Sequence, residues 1–213
     1  MVAVEVAVGA EKIITANRLK KIMKRCFIIG GGPSIAETNL DLIKDEFVIG
    51  VNEAFRFGTW IDIWFFSDSD IYKNHKKEIQ KWPNRIVSCA GAAKRNKKIE
   101  FYYRCKKHPI CFKEKHLAFP GKGANSGATA INLAIREGFD QIILLGFDMK
   151  IVNGKHHYHS YYKREPRDDA YERFMPHFEA IAKESKVEIL NATPDSALPF
   201  FKKVKLENII GEN

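Results

Sequence analysis

The feature that most constrains this chain is a series of short apolar runs, each closed by small or polar residues. Cys26 to Ile29 (CFII) runs into Gly30, Gly31 and Gly32, and Phe47 to Val51 (FVIGV) ends on Asn52. Ile61 to Phe66 (IDIWFF) ends on Ser67 and Asp68, and Gln141 to Leu145 (QIILL) ends at Gly146. Arg85 to Cys89 (RIVSC) and Val187 to Leu190 complete the set. Between them lie segments of helical period. Ser34 to Lys44 carries Ile35, Leu40 and Ile43, and a polar helix is expected up to Lys81, where Trp82-Pro83 stops it. Helices are also expected over Ser126 to Glu137 and from about Asp168 to Ser185. Apolar strands alternating with helices imply a parallel sheet covered on both faces. The expected fold is therefore α/β, a Rossmann-like doubly wound domain with a mainly parallel sheet.

In such folds ligands sit beyond the carboxyl ends of the strands, at a topological switch point. Those ends carry Gly30 to Ser34, Asn52, Asp68, Ser69, Asp70 and Asp148. A chain of 213 residues suits one such domain. We expect it over residues 25–213, after an N-terminal extension of residues 1–24.

The formal charge of +9 is unevenly placed. Ten Lys and Arg residues fall between Lys94 and Lys122, opposed only by Glu100 and Glu114, so this stretch supplies eight of the nine charges. It interrupts the alternation and is expected to be an insertion or lid over about residues 91–122. Such a run is either a solvated surface or a face for an anionic ligand, because clustered cations concentrate anions. The aromatic residues Phe101, Tyr102 and Tyr103 lie inside it.

No apolar run reaches the roughly 20 residues needed to cross a bilayer. The first ten residues, MVAVEVAVGA, have no basic leader and include Glu5, so no cleaved signal peptide is expected. Four Cys in 213 residues do not resemble a disulfide scaffold. Both features lead us to expect a cytoplasmic protein.

Five constellations offer chemistry. Gly30, Gly31, Gly32, Pro33 and Ser34 form a strand-to-helix turn whose glycines allow close approach of a phosphate to free N–H groups, or simply a tight turn. It matches neither the dinucleotide fingerprint nor a Walker A loop. Asn125, Ser126 and Gly127 open the next helix, as a second ligand-facing loop or as an ordinary N-cap. Asp68 and Asp70 could share Mg²⁺ or Mn²⁺ at a diphosphate, or cap a helix; no tightly bound cofactor is expected. The run His156-His157-Tyr158-His159-Ser160-Tyr161-Tyr162 offers a general base and phenolic hydroxyls, a metal site, or a polar loop. Cys89, Cys105, His108 and Cys111 could form a zinc knuckle, although their spacing fits none of the usual fingers.

Taken together, CFIIGGGPSI, VIGVNEAF, ANSGATAINLAIREGFDQIILLGFDM, the His-rich loop and EILNATPDSAL resemble a broad superfamily over about residues 25 to 200. It contains the sialyltransferases of glycosyltransferase family 42, the archaeal 6-hydroxymethylpterin diphosphokinase (MptE-like) proteins, and related uncharacterised phage and bacterial proteins. The resemblance implies a donor nucleotide held by Gly30, Gly31, Gly32, Ser34 and Asn52, with Ser126 and Gly127 lining the same site. It implies His159 as general base and Tyr158, Tyr161 or Tyr162 against the leaving phosphate. Asp68-Ser69-Asp70 has no obvious counterpart there, and the basic stretch replaces an acceptor-covering lid.

Three functions follow as expectations. The first is a glycosyltransferase that uses a nucleotide-activated sugar and an anionic acceptor, either a glycan or a modified base in DNA. The second is a Mg²⁺-dependent diphosphokinase acting on a pterin-like hydroxymethyl compound, which would employ Asp68 and Asp70. The third is a nucleic-acid-binding module without catalysis.

Overall fold

The computed structural model of the chain describes residues 23–120, 124–162 and 169–211. Most of the expected extension, the Gly121–Gly123 turn with Lys122, and the expected helix start at Asp168 lie outside these residues. The strands are β1 (Arg25–Ile29), β2 (Val48–Val51), β3 (Ile63–Phe66), β4 (Arg85–Ser88) and β5 (Glu100–Phe101). They continue with β6 (Tyr103–Cys105), β7 (His116–Ala118), β8 (Gln141–Leu145), β9 (Glu188–Asn191) and β10 (Lys202–Lys203). The α-helices are α1 (Ser69–Asn74), α2 (Lys76–Lys81), α3 (Ser126–Arg136), α4 (Ala170–Glu184) and α5 (Leu206–Ile210).

Eight strands form one sheet in the order β10-β9-β8-β1-β2-β3-β4-β5, with every pairing parallel. Burial explains the register. Successive side chains of a strand point to opposite faces, so Cys26 and Ile28 enter one core while Phe27 and Ile29 enter the other. The first core holds the apolar face of α3, with Ala130, Ile131, Leu133 and Ala134, together with Phe178 and Ile181 of α4. The second holds Trp64, Phe66, Ile71, Ile79 and Trp82, with Leu206 and Ile209 of α5. An α/β sheet covered on both faces, Rossmann-like, is thus the architecture.

Three local expectations change. Ser34 to Lys44 is not one helix but two 3-10 turns, Pro33–Glu37 and Leu40–Ile43. Thr38 is extended, and the Asn39 side chain accepts from the Asp41 amide, restarting the chain one turn later. The helix before Trp82 breaks at His75, whose ring is buried against Glu53 instead of continuing the helical surface. The basic stretch is woven into the fold: β5 extends the main sheet, and β6 and β7 pair in parallel as a second small sheet.

That small sheet is tied down from α3. Asn132 Oδ1 accepts the Ala118 amide (2.7 Å), and the Thr129 hydroxyl donates to the Ala118 carbonyl (2.9 Å). Arg136 donates to the carbonyls of Cys111 and Lys113 at 3.1 and 3.0 Å. Buried polar residues on an otherwise apolar helix face thus satisfy the backbone of the insertion.

Candidate active site at the sheet switch point

β1 has β2 on one side and β8 on the other, so the chain reverses its progress across the sheet at the carboxyl ends of β1 and β8. The Gly30–Ser34 turn follows β1 and meets the loop after β8. The Gly30 amide donates to the Leu145 carbonyl (2.7 Å), and the Gly32 amide to the Gly146 carbonyl (2.8 Å). Asp148 accepts the Ser34 amide (3.1 Å) and the Ser34 hydroxyl (2.8 Å). A Cβ on Gly32 would overlap the Asp148 carboxylate, and one on Gly30 would lie 2.6 Å from the Gly146 carbonyl. Gly30 and Gly32 are therefore required by loop-to-loop contact, and the carboxylate of Asp148, 2 % exposed, occupies the start of the 3-10 turn. Gly31 is different: a Cβ there meets only the His157 ring, at 3.6 Å.

Asn52 leaves β2 with φ at +55°, a left-handed conformation that Asn tolerates better than most residues. Its Oδ1 is buried and has no hydrogen-bond partner among the described residues. Its side chain lies near Tyr162, whose phenol is pushed upward by burial, then by the charges of Asp68 and Glu53, with Asn52 acting against them.

The His-rich loop folds over this point. Its Tyr158 amide donates to the Gly31 carbonyl (3.1 Å), and the Tyr158 hydroxyl donates to the Glu53 carbonyl (2.8 Å). His159 lies between the rings of Tyr158 (4.6 Å), Tyr161 (5.1 Å) and Tyr162 (4.7 Å), with His157 stacked at 5.4 Å. Burial lowers the His159 pKa to about 4, helped by His157 and Arg56 and opposed by Glu53. The ring is therefore neutral near pH 7. Its Nδ1 accepts the Tyr161 amide (3.2 Å), so the ring proton resides on Nε2.

Two residues that sequence reasoning passed over support this loop. Glu53, 3 % exposed, takes the Arg56 Nε (2.7 Å) and His75 Nε2 (2.7 Å) on its two oxygens. Arg56 thereby lies 3.9 Å over the Tyr161 ring. Only their place, just beyond the end of β2, could have drawn attention to them.

On the far side, the Asn125 side chain accepts the Ala128 amide (2.8 Å), as an N-cap, one of the two roles open to this loop. Gly127 lets α3 pack on Phe147, since a Cβ there would lie 2.8 Å from that ring. Ser126 instead faces Ser67 and Asp68. Crowding by its neighbours partly desolvates the surface-exposed Asp68 and raises its carboxyl; Arg104 and the Ser126 hydroxyl act against it. Asp70 points elsewhere, exposed and paired with Lys73 at 3.3 Å. Arg104, sent from β6, donates to the carbonyls of Cys89 (3.1 Å) and Ser67 (2.6 Å) and lies 4.1 Å over Phe119. No sequence pattern marked it among ten similar charges.

Among the described residues no three His, Cys, Asp or Glu groups converge as a metal site. Cys89 packs in the core and His108 is exposed, whereas Cys105 and Cys111 are neighbouring free thiols. A separate open pocket of about 500 Å³, lined by Phe47, Asp62, Pro83, Asn84 and Arg85, lies at the opposite end of the strands. There Asp62 and Asn84 are already engaged with backbone groups.

No family model and no curated protein matches the sequence. Two solved structures match the fold, both of the sialyltransferase CstII. One is its complex with a trisaccharide acceptor and CMP: TM-score 0.54 and 17% identity, covering 85% of this chain and 86% of that one. The other, from Campylobacter jejuni, holds a substrate analogue, cytidine-5'-monophosphate: TM-score 0.56 and 19% identity, with 85% of each chain covered. The chain therefore has a sialyltransferase-like fold.

Proposed function

We propose that the protein is a nucleotide-sugar-dependent glycosyltransferase. The observation that carries this reading is the partnerless Asn52 Oδ1, buried at the sheet switch point beside Tyr162 and the His159 loop. A buried acceptor without a partner costs about 1–3 kcal/mol unless a ligand donor meets it. The fold shared with CstII, a sialyltransferase crystallised with CMP, supports a nucleotide as that ligand.

In this reading Asn52, Tyr162, Gly31 and Ser126 face the donor nucleotide. Tyr158 and Tyr161, with Arg56 stacked on the latter, flank its phosphate. The acceptor hydroxyl attacks the anomeric carbon, the bond to the nucleotide phosphate breaks, and His159 takes the hydroxyl proton. With Nδ1 accepting the Tyr161 amide, Nε2 has no lone pair to offer. Base catalysis at Nε2 therefore requires the 159–161 contact to break when substrates bind. An anionic phosphate beside Arg56 would at the same time favour the protonated ring.

A thermal-shift series with cytidine, uridine, guanosine and adenosine mono- and diphosphates tests the reading. Selective stabilisation by a pyrimidine nucleotide, lost in Asn52→Ala, is expected. Stabilisation by ATP alone, with Mg²⁺ required, would replace it with diphosphoryl transfer at Asp68. No response to any nucleotide would overturn both.

A further inference from the structure

The basic insertion presents more than charge. Its nine described Lys and Arg residues, Lys94 to Lys115, are all exposed. One of the two carboxylates among them, Glu100, is already engaged by Arg85 (2.8 Å), Lys115 (3.5 Å) and the Tyr102 hydroxyl (2.9 Å). Two large aromatic side chains stand exposed within this field: Tyr103 at 46% and Phe112 at 69%. Tyr103 has Lys94 Nζ 5.0 Å from its ring centre, Phe101 edge-on at 5.3 Å and His116 at 5.5 Å. The neighbouring residue Arg104 instead reaches the carbonyls at the ends of β3 and β4. The small sheet therefore carries an exposed ring, Tyr103, beside cations, the loop between its strands carries a second, Phe112, and the Arg104 guanidinium is directed at the crevice. The backbone here is held by Asn132, Thr129 and Arg136 of α3, so the surface is pre-ordered.

We propose that this surface binds single-stranded nucleic acid, with Tyr103 and Phe112 stacking bases and the surrounding lysines and arginines contacting the backbone phosphates. Solvation alone accounts for exposed cations, but it gives no reason to leave two aromatic side chains bare among them. Rings set between cations are the arrangement that non-sequence-specific single-strand binding uses, because every base offers a flat face. Apart from Arg104 and the Glu100-paired Lys115, seven exposed cations remain on this stretch, and their neutralisation by one partner calls for a polyanion. The inference rests on the transferase reading only in making the strand an acceptor; binding itself depends on this surface alone.

Fluorescence anisotropy with labelled dT20 and rU20 on the full chain, between 50 and 300 mM salt, tests it, with an oligosialic acid of equal charge as a base-free competitor. The expected result is binding that weakens steeply with salt, with a log–log slope of about −0.7 per phosphate contacted. Tyr103→Ala and Phe112→Ala should each weaken dT20 binding about tenfold. The Lys97→Gln, Lys98→Gln double variant should flatten the salt slope while the rings still matter. Absence of binding overturns the proposal. So does equal affinity for oligosialic acid with no effect of the ring variants, which would make the face a glycan or general polyanion surface. A pyrimidine-nucleotide thermal shift measured on the same preparation reports the crevice separately, so failure of one idea is not mistaken for failure of the other.

Discussion

Asp148, just beyond β8, accepts both the amide and the hydroxyl of Ser34, just beyond β1, at 3.1 and 2.8 Å. This contact joins the two halves of the sheet at the point where the strand order reverses. A helix start with free N–H groups attracts anions, and here the protein supplies one of its own. Loss of the carboxylate leaves the Ser34 donors without that partner. We therefore expect Asp148→Ala to lower stability by about 2 kcal/mol, read as a reduced urea midpoint at unchanged m-value. Gly32→Ala should be worse, and Asp148→Ala should not rescue it. The added Cβ would still lie 2.7 Å from the Gly146 carbonyl, which is backbone and cannot swing away.

Glu53, itself buried, binds the buried His75 and the Arg56 guanidinium, whose side chain is 35% exposed. Breaking a buried charge pair from one side typically costs about 3–5 kcal/mol. Glu53→Gln is expected to fall below that range, since water screens the partly exposed Arg56 and the amide still fills the volume and accepts one hydrogen bond. Calorimetric Tm values for Glu53→Gln, His75→Gln and the double variant would show it. Additive losses would mean that the two side chains do not act together.

His177 of α4 is buried, and burial holds its pKa at about 4, the Pro109 carbonyl opposing this. Free imidazole titrates near 6.5. Between those values the unfolded chain takes up a proton that the native ring refuses. Stability should therefore fall as the pH drops from about 6.5 toward 4, while above 6.5 this residue adds no pH dependence. His177→Phe should lose less stability than the parent between pH 7 and 4.5 in paired urea titrations. An identical loss would place the effect on other groups.

If His159 is the base, kcat/KM should stay flat from neutral pH down to about 5 and fall toward 4, following its lowered pKa. His159→Ala should abolish turnover and leave nucleotide affinity nearly unchanged. His157→Asn removes a group that depresses the His159 pKa, so the acid limb should move to higher pH. A limb that stays in place in His157→Asn would assign it to another residue.

The strand cores and their polar ends were legible because a central parallel strand is apolar along its whole length and stops abruptly. Thus β1 and β8 could be found within a residue. Their adjacency could not, since Arg25–Ile29 and Gln141–Leu145 lie more than a hundred positions apart and pair only through the sheet. The glycine turn was visible, but its purpose was not. A glycine that admits a phosphate and one that admits a neighbouring carbonyl look alike in sequence. The close approaches of Gly146 and Asp148 separate them, turning Gly30 and Gly32 to packing and leaving Gly31 open.

Local rules likewise offered a cap at Asn125 or Ser126 as one reading of that loop, because such a partner lies only a few residues away. They could not identify Glu53, Arg56 or Arg104, nor that Asp148 binds Ser34, since these roles depend on contacts across the fold. Short-range patterns of hydrophobicity and charge were enough to specify the alternating sheet-and-helix architecture, the polar strand ends and the concentration of charge between Lys94 and Lys122. Which strand ends meet, which carboxylate is buried, and that the described part of the basic stretch forms a surface with exposed rings emerge from the folded chain alone. Those outcomes depend on long-range packing, where desolvation and hydrogen-bond satisfaction outweigh local preference.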